Sequence, residues 1–266
     1  MSAHIPVGIN PTAVGVEAGW WLDAVRRAED AGFGTAWIWD HFTSWGERSD
    51  PLLECWTMLT AAAVSTERIR LGSFVANNIN LHPAVLANIV GTLAQLAPGR
   101  VELGIGIGGH PTEHASYGMD FPPAPERAAR LEESIAVLRL LFNGGPVDFE
   151  GGYYQLSEAY ARPVPQPPPR ITVAGVRPGG ARLAARHGDA WTCFAPEYQK
   201  LRPVFDAELA ACGRDTAEVG VIVGIECEDV TEDIDTLSAR WAEAGVTELV
   251  IHDVKPGQLD RILGLL

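Results

Sequence analysis

The sequence is poor in lysine and carries a large excess of negative charge. Lys200 and Lys255 are its two lysines, and 34 acidic residues outnumber 20 basic ones, for a formal net charge of −14. Such a surface repels phosphate backbones and anionic lipid headgroups, which argues against nucleic acid or a membrane as the main partner. A small molecule is the expected partner, and any anionic ligand needs a local cluster of positive charge.

The sequence also lacks paired cysteines and long apolar runs. The four cysteines lie far apart with no C-x-x-C pair, so the sequence indicates neither a zinc knuckle nor a disulfide framework: Cys55, Cys193, Cys212 and Cys227. The N-terminus, MSAHIPVGIN, has no basic region followed by an apolar stretch, and no uninterrupted apolar run reaches about 18 residues. We therefore expect no signal peptide, no membrane span and a cytoplasmic protein.

What the sequence does contain is a regular alternation of short apolar runs with longer segments of helical period, which is typical of a parallel α/β fold. The predicted strands are 5–10, 35–40, 69–76, 100–107, 170–175, 190–194, 219–227 and 248–254. The predicted helices are 18–33, 51–65, 83–97, 126–142, 178–187, 197–212, 232–244 and 256–265. Eight such units in about 250 residues predict a (β/α)8 TIM barrel. We assign residues 1–266 to this single domain.

One insertion, at about 143–169, interrupts the alternation between the fourth helix and the fifth strand. Residues 147–156, VDFEGGYYQL, alternate around two glycines as a short hairpin does. Residues 162–170, RPVPQPPPR, contain too much proline for a helix or a central strand. We therefore predict a hairpin and a proline-rich segment here.

The fourth predicted strand contains Gly104, Gly106 and Gly109, which match the G-x-G-x-x-G pattern of a dinucleotide-binding turn. That turn requires a helix to begin at its third glycine. Here Pro111 follows closely, and the next long helix is predicted only near residue 126. The context for a dinucleotide-binding turn is therefore missing.

In a barrel, the same glycines lie where the fourth strand reaches the C-terminal rim, the place where TIM barrels build active sites. Glycines there allow a flat ring to lie against the backbone, or they serve only a tight exit loop. Other strand ends bring polar and aromatic groups to the same rim: Asp40, His41, Phe42, Trp45, residues 73–78, residues 174–177, Glu226, Cys227, His252 and Asp253. The last four line a substrate pocket or only fill the rim.

Five stretches resemble the luciferase-like monooxygenase family. They are IWDHFTSW, IRLGSFV, HPAVLANIVGTLAQLAPGRVELGIGIG, VDFEGGYYQL and PPPRITVAGVRPGGARLAARHGDAW, and the resemblance extends from residue 5 to about 194. It implies a TIM barrel that binds flavin mononucleotide (FMN) or the deazaflavin coenzyme F420 at its C-terminal rim. Residues 40–42 and Trp45 resemble the branch that uses coenzyme F420.

The resemblance also implies which residues hold the coenzyme. A cis peptide bond between Phe74 and Val75, or alternatively between Ser73 and Phe74, would support the ring. The implied coenzyme-binding residues are Asp40, Ser73, Phe74, Val75, Gly106, Ile107, Gly108, Gly109, His110, Ala174, Gly175, Val176 and Arg177. For the last group, residues 174–177, the sequence itself supports an anion site. These residues come just before the helix predicted at residue 178, where free N–H groups and the positive end of the helix dipole attract an anion. Arg177 adds a full charge there, unless it is a solvated surface arginine.

For catalysis, His41 is the expected proton carrier, since an imidazole acts as acid or base near neutral pH. Alternatively, His41 only hydrogen-bonds within its loop. Trp45 would form an apolar wall over the substrate, or it would only pack against its own loop. In sugar-phosphate dehydrogenases of this family a glutamate follows the fourth-strand glycines; here Gly109 or His110 occupies that place, and Glu113 is the nearest carboxylate. The scarcity of lysine disfavours a phosphorylated sugar, so we expect an enone, an imine or a secondary alcohol.

Three alternatives remain open at this point. The first is an FMN-dependent monooxygenase, and the second is a non-catalytic carrier of flavin or deazaflavin. The third is a metal site at His110, Glu113 and His114, which Pro111 and the small number of ligands disfavour, so we predict no metal. The resemblance also suggests a homodimer.

Overall fold

The computed structural model describes residues 4–265, and its central feature is a closed barrel of eight parallel strands. The barrel strands are β1 Val7–Pro11, β2 Thr35–Ile38, β3 Arg70–Asn77, β4 Val101–Gly106, β7 Arg170–Ala174, β8 Ala190–Phe194, β9 Gly220–Glu226 and β10 Glu248–Val254. Around the barrel they follow the order β1, β10, β9, β8, β7, β4, β3, β2, after which the ring closes on β1. The predicted TIM barrel is confirmed.

Helices follow the strands along the chain. They are α1 Ala18–Ala31, α2 Cys55–Ser65, α3 Pro83–Leu96, α4 Pro111–Ser116, α5 Ala124–Leu141, α6 Pro178–His187, α7 Ala195–Ala211, α8 Ile234–Glu243 and α9 Pro256–Leu263. Each of the eight predicted helices is present, but the sequence analysis missed α4, a helix of six residues. Within residues 4–265, no helix has the length and apolar character needed to cross a bilayer.

Large side chains fill the interior of the barrel. Trp37 is fully buried there with Phe74, Ile222 and Val250. A β-carbon on Gly72 of the neighbouring strand would lie only 2.5 Å from the Trp37 ring, so glycine is needed beside it. A larger apolar layer between the strands and the helices completes the core.

Four charged residues close the N-terminal end of the barrel. Arg70 contacts Glu102 at 2.6 Å and Glu248 at 2.9 Å, and Arg170 contacts the same two carboxylates at 2.8 Å each. Every charge in this network has partners of opposite sign, as a buried cluster requires. The opposite, C-terminal end is the one that lies open for binding.

The insertion forms a separate antiparallel hairpin, β5 Val147–Glu150 and β6 Gln155–Ala159, within the predicted range. The Glu133 carboxylate of α5 accepts hydrogen bonds from the backbone N–H groups of Gly152, Tyr153 and Tyr154. The hairpin is thereby fixed to the outside of the barrel.

Candidate active site

A cavity of about 910 Å³ lies at the C-terminal ends of the strands. Most of the predicted site residues line it, namely His41, Trp45, Phe74, Val75, Gly106, Ile107, Gly108, Gly109, Ala174, Gly175, Val176 and Arg177. Asp40, Ser73, His110 and Glu113 are buried and are not among its lining residues. The structure therefore brings together groups from widely separated parts of the chain, as an active site of this fold requires.

One wall of the cavity is a flat backbone surface. The peptide bond between Phe74 and Val75 is cis, at the position expected from the sequence, and the pairing of β3 with β4 shifts register there. A β-carbon on Gly106 would lie 3.1 Å from a methyl group of Val75, and Gly108 has a positive φ of 83°. Glycine at these two positions removes two side chains from a wall that Phe74, Val75 and Ile107 also line, so a planar ring can approach the backbone there.

The turn after β7 forms a second wall and meets the first turn of α6. A β-carbon on Gly180 would lie 2.7 Å from the Cα atom of Gly175, so the two glycines allow this close approach. The first N–H groups of α6 have no partner within the helix, and Arg177 at its N-cap lines the same cavity. Free amides, a helix dipole and a guanidinium make this turn suitable for a phosphate group.

His41 faces the cavity and is held from behind by Glu113. The carboxylate accepts backbone N–H bonds from Phe42 at 2.7 Å and Thr43 at 3.0 Å, and its Oε1 lies 3.4 Å from Nδ1 of His41. Burial raises the pKa of Glu113, but the hydrogen bonds from His41, Phe42 and Thr43 outweigh it and lower the pKa to about 2. The Trp45 indole N–H, 3.4 Å from Nε2 of His41, contacts the other ring nitrogen.

Asp40 and Ser73 hold strand ends in place. The Asp40 carboxylate accepts the Asn77 backbone N–H at 2.8 Å, and the Ser73 hydroxyl donates to the Gly104 carbonyl at 2.7 Å. Burial raises the pKa of Asp40 to about 6, against the opposing effect of the Asn77 hydrogen bond. Both residues thus shape the flat wall from behind.

His110 caps α4 and supports Trp45. Its Nδ1 accepts the Glu113 backbone N–H at 3.0 Å, and its ring centroid lies 4.1 Å from that of Trp45. His114 is buried, with Nε2 3.1 Å from the Asn80 side-chain oxygen. Across residues 4–265, no group of three or more His, Cys, Asp or Glu side chains is arranged to hold a metal ion.

Several lining residues were not predicted from the sequence, among them Trp39, Phe121, Arg127 and Phe194, whereas Asn77 belongs to the stretch 73–78 that was expected at the rim. Arg127 of α5 donates to the carbonyls of Ile107 at 3.0 Å and Gly108 at 3.4 Å, and its guanidinium stacks 3.9 Å from the Phe121 ring centroid. No local pattern marks an arginine within a long helix for this task. Trp39, in contrast, directly precedes Asp40 and His41 just after β2, and this proximity could have identified it as a cavity residue.

The cavity is also lined by Glu226, His252 and Asp253. The sequence alone had left open whether these residues line a substrate pocket or only fill the rim. The Trp39 indole N–H donates to Nε2 of His252 at 2.9 Å, and the two rings stack with centroids 5.2 Å apart. That bond leaves the ring proton of neutral His252 on Nδ1, 3.5 Å from the Glu226 carboxylate. Glu226 is half-exposed, and the hydrogen bond from His252 lowers its pKa.

Comparison with known proteins gives consistent matches. The sequence model of the family described as luciferase-like monooxygenase matches residues 10–247. The chain is 32% identical over 261 residues to the F420-dependent glucose-6-phosphate dehydrogenase of Kineococcus radiotolerans, covering 94% of this chain and 77% of that protein. It is 37% identical over 198 residues to the F420-dependent hydroxymycolic acid dehydrogenase of Mycobacterium tuberculosis, covering 73% of this chain and 60% of that protein.

The fold has a solved counterpart of nearly equal extent. An F420-dependent secondary alcohol dehydrogenase, determined in complex with an F420-acetone adduct, superposes with a TM-score of 0.86. The match covers 99% of this chain and 98% of that one at 22% sequence identity. At that identity the likeness establishes the shared barrel.

Proposed function

The chain belongs to the luciferase-like monooxygenase family, and on that premise we propose that it is a coenzyme F420-dependent oxidoreductase, which transfers a hydride between the deazaflavin and a small organic substrate. The names of the relatives from Kineococcus and Mycobacterium support the choice of coenzyme. Support from the chain itself comes from one juxtaposition. Gly106, Gly108 and Gly109, the turn of residues 174–177 before α6, and His41 all line the same cavity.

The residues present fit a tricyclic ring that carries a phosphate. The stretch of residues 106–109 has space for the ring because three of its four residues are glycines, and Phe74 and Val75 line the cavity with it. Arg177 and the N-terminus of α6 supply positive potential for the phosphate, on a protein whose net charge otherwise repels anions. When bound, the deazaflavin supplies a ring carbon that exchanges a hydride with the substrate.

In this proposal the chain orients the substrate and moves one proton. His41 exchanges the proton at Nε2, the nitrogen that Trp45 contacts, while Glu113 at Nδ1 fixes the orientation of the ring. Trp45, which is more than half exposed, covers the substrate. His110 packs against the Trp45 ring and holds it over the opening.

For the substrate we propose an enone, an imine or a secondary alcohol rather than a sugar phosphate. Lys200 and Lys255 do not line this cavity, and Arg127 is engaged with backbone carbonyls. Arg177 lies at the turn assigned to the coenzyme, so no further cation among the lining residues remains to hold a second phosphate.

The experiment is a titration of purified protein with oxidised F420 and, separately, with FMN, followed by absorbance. Saturable binding of F420 with little binding of FMN is expected, and the reverse order would instead support the FMN-dependent monooxygenase. Mixing with reduced F420 and cyclohexenone, a cyclic imine or a ketone then tests turnover. If the protein binds F420 but the reduced coenzyme transfers its hydride to none of these probes, the result would favour the carrier function.

A further inference from the structure

Charge is unevenly distributed around the cavity. Around the barrel, β7, β4 and β3 are consecutive and contribute the glycine wall and Arg177. The opposite arc, from β9 through β10 and β1 to β2, contributes Glu226, His252 and Asp253, with Trp39 just beyond β2. If the coenzyme occupies the first arc, the substrate faces the second, which carries carboxylates and indole rings.

Glu226 is the more exposed of the two carboxylates on this arc, at 50% against 24% for Asp253. Asp253 has Lys255 3.5 Å from its carboxylate, whereas among residues 4–265 the partner within 4 Å of the Glu226 carboxylate is Nδ1 of His252, and the Lys255 charge acts on Glu226 only from farther away. Trp39 donates to Nε2 of His252, and Nδ1 of the same ring lies 3.5 Å from the Glu226 carboxylate. The Glu226 carboxylate is half-exposed, and it presents its negative charge to the cavity.

Aromatic faces flank this carboxylate. Trp39 stacks on His252, and the Phe194 ring lies 5.0 Å from the same imidazole. Trp39 and Trp45 both line the cavity, and the ring of each lies near His41. Indole faces attract cations through their negative π surface, and the attraction increases when the cation is removed from water. An aromatic wall with one exposed carboxylate favours a positively charged nitrogen and disfavours an anion.

We propose that Glu226 selects a substrate bearing a positively charged nitrogen, an iminium, within the imine class. The inference rests on the proposed function in taking this cavity as the substrate site. Addition of a hydride to the carbon of a C=N⁺ bond turns the π electron pair into the lone pair of the amine nitrogen. The charge that Glu226 binds in the iminium is neutralised by that hydride, and the one proton that His41 moves is the proton that converts a neutral imine into the iminium.

The test uses three probes of similar shape on the full-length protein without coenzyme: choline, the uncharged 3,3-dimethylbutan-1-ol and the anionic 3,3-dimethylbutanoate. Binding is followed by NMR through the indole N–H signals of Trp39 and Trp45, assigned with W39F and W45F. Choline is expected to bind about tenfold more tightly than the alcohol, with the carboxylate weakest.

Glu226→Gln is expected to abolish the preference for choline, and Glu226→Asp to retain part of it. Glu228→Gln is the matched control, because Glu228 is exposed, bonds to Gln258 and does not line the cavity. Thermal melts confirm that each variant is folded. Equal binding of choline and the alcohol, tighter binding of the carboxylate, or a preference that survives Glu226→Gln overturns the proposal.

Failure of the proposed function gives a different result. If the protein does not bind F420 but prefers choline through Glu226, the proposed coenzyme is wrong and the cation site is supported. If it binds F420 but shows no preference among the three probes, the coenzyme is supported and the cation site is wrong.

Discussion

Glu113 lies beneath His41 with its Oε1 3.4 Å from the Nδ1 atom of the imidazole, and its side chain has no exposed surface. The same carboxylate receives the N–H groups of Phe42 and Thr43, so one buried anion fixes both the ring and its loop. This arrangement assigns Glu113 to positioning rather than to contact with the substrate.

Glu113→Gln should therefore lower kcat more than it changes affinity for F420. An amide has one acceptor oxygen in place of two, so it cannot satisfy both N–H groups and His41 together. Misorientation of the proton carrier should reduce kcat by about 10- to 100-fold. Steady-state kinetics and a coenzyme titration measure the two effects; equal loss of both would show that the loop itself has collapsed.

The same variant should change how stability depends on pH. The pKa of Glu113 is about 2, below its ordinary value of 4.5, so the ionised form stabilises the fold above pH 4.5. That contribution, about 2 to 3 kcal/mol, is lost as the pH falls through about 2. Urea unfolding at pH 7 and pH 4 should show Glu113→Gln less stable than wild type, with a smaller gap at pH 4. A gap that does not change with pH would contradict the assignment.

Asp40 should show the opposite pH dependence. Burial raises the pKa of the Asp40 carboxyl from its ordinary value of 3.8 to about 6. Ionising this carboxyl therefore destabilises the folded protein progressively as the pH rises from about 3.8 to above 6. In Asp40→Asn this cost is absent, while the amide oxygen still accepts the Asn77 N–H. Between pH 5 and 7.5 the variant should gain about 1 kcal/mol relative to wild type. Urea unfolding measures the stability of both proteins at the two pH values. The same difference in unfolding free energy between Asp40→Asn and wild type at both would refute the prediction.

The ion network at the N-terminal end of the barrel should be sensitive to loss of one member. Arg170→Met leaves Glu102 and Glu248 with Arg70 as their remaining cation, and removing one partner of a buried network typically costs about 3 to 5 kcal/mol. Arg182→Met is the control, because its exposed pair with Glu208 is 3.8 Å long and such pairs contribute about 1 kcal/mol or less. Urea unfolding at neutral pH compares them. Equal losses would indicate that the network is solvated.

The barrel and its rim were predictable because they depend on local periodicity. Apolar runs and helical stretches repeat along the chain, and parallel strands bring their C-terminal ends to one edge. This placed Phe74, Gly106 and Arg177 correctly at the cavity. The helix α4 was missed because six residues are too few for a helical period to show.

Depth relative to the cavity was harder to predict than position along the rim. Asp40 and His41 are neighbours in sequence, yet one is buried behind the wall and the other faces the cavity. The contact of Trp39 with His252 joins residues 213 positions apart, and it forms only when the barrel closes. Sequence spacing carries no record of such pairs.

The close approach of Gly175 to α6 predicts a selective loss of coenzyme binding. In Gly175→Ala the new methyl group would overlap the Gly180 backbone and push the phosphate-binding turn away from the helix. Gly179→Ala is the control, since its β-carbon would meet nothing within 4 Å. We expect at least about tenfold weaker F420 binding for the first variant and a much smaller change for the second. Equal affinities would place the phosphate elsewhere.

Arg177 should determine how coenzyme affinity responds to salt. Two electrostatic effects act on an anionic coenzyme: attraction to Arg177 at the turn, and repulsion from a protein of net charge −14. Salt screens both, over a Debye length of about 10 Å at 0.1 M. In Arg177→Gln only the repulsion and the helix dipole remain, so F420 should bind more weakly at low salt, and added salt should restore part of the loss. Arg177→Lys should keep the wild-type salt response, since it retains the charge without the planar fork. Titrations from 20 mM to 500 mM potassium chloride compare the three proteins; parallel salt responses in wild type and Arg177→Gln would show that this guanidinium does not contact the coenzyme.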